Sequence, residues 1–166
     1  MSDKTIVNKV TASGILRLDL LQYQPDVVFA DFDIKNYLFQ ELALIEKEFR
    51  IAMEAIDWEA YQGKAVSVYC SVDAIVPQWV YMLVAARLKP YAFSVIFGSE
   101  KEHYIKLWEN RLLQADLTGY EGEKVTFRAS EHIPEALYIT ATNVLAGKVA
   151  SLMYGEPGLP KMIRKY

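Results

Sequence analysis

The chain has 166 residues, of which 52% are hydrophobic, 13% aromatic and 23% charged; this excludes intrinsic disorder and fibrous repeats and leaves room for about one globular domain. Lys and Arg number 18 against 21 Asp and Glu, and the net charge of -3 gives no bulk attraction to nucleic acid or anionic lipid. A single cysteine cannot form an internal disulfide, so nothing points to a stapled secreted domain and a reducing, cytoplasmic compartment is the expectation.

The first residues, MSDKTIVNKVTASG, carry a charge every few positions and lack the apolar core of a signal peptide. Next, Leu16, Leu18 and Leu20 alternate with Arg17 and Asp19, the pattern of a half-buried edge strand. Val27 to Asp31, after Pro25, reads as a short strand. From Ile34 to Ile56 the apolar residues Ile34, Leu38, Leu42, Ile45, Phe49, Ala52 and Ile56 step by three or four, which predicts one long amphipathic helix. Residues 65–70 follow Gly63 and read as a strand. Pro77 then suits the first position of a helix running to Lys89, because its missing N–H costs nothing there. Phe93 to Phe97 reads as the next strand, and Glu100 to Ala115 as an amphipathic helix that puts His103 on its polar side. Residues 124–129, Pro134 to Lys148 and Ala150 to Tyr154 repeat the strand, helix and strand. The tail, Glu156 to Tyr166, is expected to be an irregular surface arm because two prolines and two glycines interrupt its neighbourhood. The most apolar stretch, Ala74 to Leu88, contains Pro77 and falls short of the roughly 20 residues needed to cross a bilayer.

The chain also resembles itself. Asp57 to Ser71 lies over Asp116 to Ser130 with five identities in fifteen positions, and Pro77 to Gly98 over Pro134 to Gly155 with five in twenty-two. Each copy reads β-α-β, a parallel, right-handed unit. The expectation is a single α/β domain over residues 1–166, with an internal repeat of 57–98 and 116–155 and one mostly parallel sheet flanked by helices. The alternative is a mixed sheet of α+β type.

In such a sheet a ligand site lies outside the carboxyl ends of the strands, where helix N-termini favour anions. The loops there hold Asp31 and Asp33; Cys70, Ser71 and Asp73; Gly98 and Ser99; Ser130 and His132; and Gly155 to Pro157. Cys70 reads either as a nucleophile near a helix N-terminus or as a small buried side chain at a strand end. Asp73 reads as an acid, a base or a ligand, or as a helix cap. Asp31 and Asp33 form a D-x-D pair that reads as a hard-cation ligand set, or with Asp33 as the cap of the next helix. His132 is the natural partner of Cys70 if their loops meet, and otherwise an exposed loop residue. Ser71 and Ser130 are the remaining ligand-binding candidates. There is no H-E-x-x-H, C-x-x-C, G-x-x-x-x-G-K-[ST], G-x-S-x-G or G-x-G-x-x-G, so no metal and no cofactor is expected.

Four strings, VNKV at Val7 to Val10, FDIKNYLF at Phe32 to Phe39, EKEFR at Glu46 to Arg50 and CSVDAIVPQW at Cys70 to Trp79, make the chain resemble a family of small uncharacterised proteins of Bacteroidetes, domain of unknown function family 2480. The resemblance implies that origin and a cytoplasmic location, and no activity or catalytic residue. Two expectations of function follow. One is a binding or catalytic site for a small anionic ligand at the strand-end loops. The other is an interaction or structural module, associating as a homodimer or with another protein through its apolar helices. Neither calls for nucleic acid or membrane.

Overall fold

The computed structural model describes residues 14–166; the segment weighed above as a signal peptide, with Val7 to Val10, lies outside the described residues. Strands and helices alternate as expected of an α/β protein, but they build two sheets rather than one. The chain divides into two compact units, Asp26–Tyr104 and the segments that precede and follow it, Met1–Pro25 with Ile105–Tyr166. In sequence, therefore, one unit interrupts the other.

The inserted unit, Asp26–Tyr104, holds a three-stranded parallel sheet ordered β2-β3-β4, with β2 at Phe29–Asp33, β3 at Ala65–Tyr69 and β4 at Ser94–Phe97. The central strand, AVSVY, is buried at its first four positions, which is why it reads as a β-branched run and not as an alternation. Helices α1 (Glu46–Ala55) and α2 (Gln78–Leu88) supply Phe49, Met53, Val80, Val84 and Leu88 to a core completed by Phe32, Ile34, Trp58, Val66 and Val68. Phe32 stacks on Tyr37 and on Trp58 with ring centroids 5.3 and 5.6 Å apart. The Trp58 indole N–H donates to Met53 O at 3.0 Å, so the ring is buried without an orphan donor.

The helix expected from Ile34 to Ile56 does not form as one piece. Asp33 Oδ1 accepts from Lys35 N at 3.0 Å and opens a 3-10 turn over Ile34–Tyr37. Gln40 and Glu41 then take positive φ angles of 50° and 59°, Phe39 bridges Ala43, and α1 begins only at Glu46. A short side chain that bonds the backbone two residues on offers the chain an alternative to the helical ladder, and here that alternative wins over the apolar spacing.

The interrupted unit holds β1 (Ile15–Leu18), β5 (Lys124–Phe127), β6 (Ser151–Tyr154) and β7 (Lys161–Lys165), ordered β1-β5-β6-β7. The first three are parallel and β7 is antiparallel to β6. The tail expected to be irregular thus forms a strand, because β6 offers an edge of unpaired N–H and C=O groups and Lys161–Lys165 reaches it through the Pro157 to Pro160 turn. Between β5 and β6 runs α4 (Glu135–Leu145), which buries Leu137, Ala141 and Leu145. Helix α3 (Glu100–Leu113) begins in the inserted unit and continues into this one. Its Trp108 is fully buried and donates its indole N–H to Leu20 O at 2.9 Å. Leu20 opens a 3-10 turn, Leu20–Tyr23, capped by Asp19.

The inserted unit runs through the order strand, Asp-capped 3-10 turn, helix, 3-10 turn, strand, helix and strand. The interrupted unit runs through the same order, with α3 as its first helix, and then adds β7. Gly63 and Gly122 lie at φ of 71° and 73°, and their amides donate to Tyr91 O and Lys148 O at 2.9 and 2.8 Å. The left-handed backbone there admits glycine at no steric cost. Pro77 and Pro134, expected inside their helices, sit one residue earlier as N-caps with extended ψ of 139° and 145°.

Candidate functional site

Parallel pairing puts Phe29, Asp31 and Asp33 beside Ala65, Ser67 and Tyr69 in register, and because side chains alternate along a strand these six share one face of the inserted sheet. At its C-terminal end this face opens into a concavity of ≈ 340 Å³ lined by Asp31, Tyr69, Gly98, Ser99 and Glu100. The Tyr69 hydroxyl donates to Asp31, and burial, the charges of Asp31 and Asp33 and that hydrogen bond hold its pKa above the usual phenol value. Tyr69 therefore stays a neutral donor at neutral pH.

The far wall is the start of α3. Gly98, at φ 132°, brings its amide to Val68 O at 3.1 Å and turns the chain off β4. Ser99 N and Oγ both donate to Glu102 Oε2 at 2.7 Å, and Glu102 N returns a bond to Ser99 Oγ at 3.3 Å. This reciprocal cap fixes the helix start, and the Ser99 amide and hydroxyl hold the Glu102 carboxyl below its ordinary pKa. Glu100, the first residue of α3, also lines the space.

One turn into α3 lies His103, read from sequence as exposed; it is fully buried. Its Nδ1 is 3.2 Å from Ser67 Oγ and its Nε2 2.7 Å from Ser94 Oγ, and Phe29 meets the ring edge-on at 5.7 Å. Ser67 is buried as well, so the group ties the first turn of α3 to β3 and β4. Helical spacing put His103 on the polar side of α3, and two serines on β3 and β4 make that side a buried polar contact.

The structure joins some of the expected residues and not others. Asp33 Oδ1 accepts from Ser71 N at 3.1 Å as well as from Lys35 N. Burial alone would raise its carboxyl, but the bonds from Ser71 and Lys35 and the Lys35 charge outweigh it and lower the pKa. Asp33 therefore caps a 3-10 turn in place of the long helix expected after it, and its bond to Ser71 ties that turn to the loop after β3. Cys70 is half-buried and its thiol donates to Val72 O at 3.4 Å. Asp73 is exposed and four residues short of the α2 cap, which is Pro77, so it does not cap that helix. Ser130 and His132 belong to the interrupted unit and Cys70 to the inserted one. There the His132 amide donates to Ser130 Oγ at 3.2 Å, the Ser130 amide to the Tyr138 hydroxyl at 3.2 Å, and the exposed His132 ring lies 3.9 Å from Glu131. Among the described residues no group of three or more His, Cys, Asp or Glu could hold a metal ion, and no helix is long and apolar enough to cross a membrane.

Sequence reasoning missed Tyr69, which counted as strand, and Glu100, which counted as helix. The signal was present for Tyr69: a period of two carries Asp31's face onto it once β2 and β3 are paired.

Asp19 repeats the role of Asp33 in the interrupted unit, its Oδ1 accepting from Leu21 N at 3.1 Å. Burial would raise it, but the Arg128 hydrogen bond, the Leu21 amide and the Arg128 and Arg17 charges leave its pKa lowered. Since both carboxyls bind protons less readily folded than unfolded, their stabilisation is complete above the unfolded pKa and is lost as pH falls through the lower folded value. Urea unfolding from about pH 6 to pH 3 is thus expected to show falling stability, with a shallower fall in Asp33→Asn.

A comparison with curated proteins and with solved structures finds no match. The family model described as "Protein of unknown function (DUF2480)" matches residues 4–162, nearly the whole of the chain whose strand ends carry these groups. The chain belongs to the DUF2480 family.

Proposed function

We propose that the chain binds a small ligand at the C-terminal ends of β2, β3 and β4. The observation that carries this reading is the ≈ 340 Å³ concavity over Asp31, Tyr69, Gly98, Ser99 and Glu100, which falls within the roughly 300–1,000 Å³ of small-molecule sites. Helix N-termini alone would favour an anion, the charge expected from the sequence. Asp31 and Glu100 reverse that preference, so the ligand proposed has an amine or another cationic group against the carboxylates and an apolar part against the Tyr69 ring. The cytoplasmic location and Bacteroidetes origin implied by the sequence resemblance belong to the same proposal. So does common ancestry of residues 57–98 and 116–155, supported by the matched glycine turns and prolines.

The test is a thermal-shift titration with agmatine and phenethylamine. A ligand at 100 times its Kd stabilises the native state by about 2.7 kcal/mol. Asp31→Ala and Glu100→Gln are expected to lose the shift while Asp73→Ala keeps it. A shift unchanged in Asp31→Ala would sink the site. The second reading, a homodimeric interaction module, is favoured by Met82, Phe93 and Phe97, which are 72%, 60% and 72% exposed. No shift with either amine, together with self-association abolished by Phe97→Ser, would establish it in place of the first.

A further inference from the structure

We infer that the C-terminal ends of β1, β5 and β6 form a second binding site, for a small carboxylate anion, held shut by the side chain of Glu156. The groups all lie in the interrupted unit. Arg17 pairs in register with Thr126 as Asp31 pairs with Ser67, two residues before the aspartate that caps the following turn. Arg128 stands at the end of the central strand where the inserted sheet has Tyr69. Gly155, at φ 111°, donates its amide to Phe127 O at 2.9 Å as Gly98 donates to Val68 O, and Glu156 then takes the place of Ser99. The positions that line the amine site thus recur with two guanidiniums in place of a carboxylate and a phenol.

The pairing within this cluster is uneven. Asp19 Oδ2 accepts from Arg128 at 2.7 Å and lies 3.7 Å from Arg17, while Oδ1 is held by Leu21 N; this carboxylate is built in. Tyr138 fixes the Arg128 backbone by donating to its carbonyl at 2.9 Å. Glu156 is different: its side chain is 65% exposed, its single contact with Arg17 is 3.3 Å long, and it sits on the turn that leads to β7. An exposed pair of this kind is worth little. A guanidinium presents five N–H donors in a fork that fits a planar carboxylate, more than Asp19 and Glu156 can engage on two arginines. Glu156 is therefore a resident stand-in for the ligand's carboxylate. Its displacement leaves two cations against Asp19 alone, a net positive charge that an incoming anion neutralises. No bond is made or broken.

The experiment is calorimetric titration of malonate and of inorganic phosphate, at low ionic strength, into wild type, Glu156→Gln and Arg17→Ala. Both substitutions fall on exposed side chains, so the fold is retained, and the melting temperature of each verifies it. Malonate is expected to bind Glu156→Gln roughly two- to fivefold more tightly than wild type, the factor set by losing an exposed ion pair as competitor, and to lose binding in Arg17→Ala. Added salt should weaken it. Tighter binding of phosphate than malonate would overturn the carboxylate assignment. Absence of any anion binding in Glu156→Gln, or equal affinity in Arg17→Ala, would overturn the site. Asp31→Ala leaves these affinities unchanged, which separates failure here from failure of the amine site.

Discussion

Trp108→Ala is expected to destabilise the protein by about 3–5 kcal/mol, the range for truncating a buried aromatic, out of a total of about 5–15 kcal/mol. The indole is fully buried on α3 and its N–H reaches Leu20 O across 88 residues of chain. Nearby, Arg111 donates to Gln24 O at 2.7 Å. These bonds close a unit whose first strand and turn are separated in sequence from everything else in it, so the loss combines a cavity with an orphaned carbonyl. Trp108→Phe keeps most of the volume and isolates the orphaned carbonyl, at about 1–3 kcal/mol. Leu113→Ala, on the same helix but 58% exposed, should fall within about 0.5 kcal/mol of wild type. Urea midpoints at constant slope measure all three. A Trp108→Ala loss no greater than that of Leu113→Ala would show that the turn does not depend on the helix.

Gly98→Ala should damage fold and site together. At φ 132° the backbone lies where L side chains rarely go, and an added Cβ would stand 2.8 Å from Glu102 Oε2. That oxygen carries both bonds from Ser99, so it can retreat only by opening the cap that starts α3. Backbone strain of this kind costs about 1–3 kcal/mol, and loss of a cap about 0.5–2 kcal/mol. The amine-induced thermal shift should vanish with it, since Gly98 and Ser99 line the concavity. A Gly98→Ala protein with wild-type stability would contradict the geometry. At Gly63, where φ is also positive but nothing lies within 4 Å of an added Cβ, alanine should carry the backbone cost without disturbing the amine shift.

Where the physics is local, the sequence was read correctly. The strands expected at 65–70 and 124–129 form over Ala65–Tyr69 and Lys124–Phe127, and helices follow Pro77 and Pro134; β-branched runs, glycine turns and proline entry are each decided within a few residues. The Ile34 to Ile56 stripe shows the limit: its spacing was helical, yet Asp33's bonds to Lys35 and Ser71 cut the first turns away, and the second of those partners is 38 residues distant. The tail failed for a similar reason. Lys161–Lys165 reads Lys, Met, Ile, Arg, Lys, with no strand-like alternation, and only its pairing with the β6 edge makes it a strand.

Of the candidate concavity, the strand-end position was among the loops named from sequence, and its lining charges were not. Strand-end loops could be named from element order, and Asp31, Gly98 and Ser99 were among them. Tyr69 and Glu100 were hidden inside regular elements, and Arg17 and Arg128 inside or beside strands, because which face a strand residue serves depends on its partner's register. By itself the sequence determined the β-α-β grammar, the α/β class and the turns that glycine and proline enforce. Tertiary structure alone decided that β1 pairs with β5 and β2 with β3, making two sheets of one expected, that His103 is buried between two serines, and that Arg17 and Arg128 meet Asp19 and Glu156 at one set of strand ends while Asp31, Tyr69 and Glu100 line a concavity at the other. The reason is that periodicity and turn chemistry are settled between neighbours in the chain, whereas strand partners, burial and the sign of a pocket's field are settled between residues tens of positions apart, whose pairing no local preference encodes.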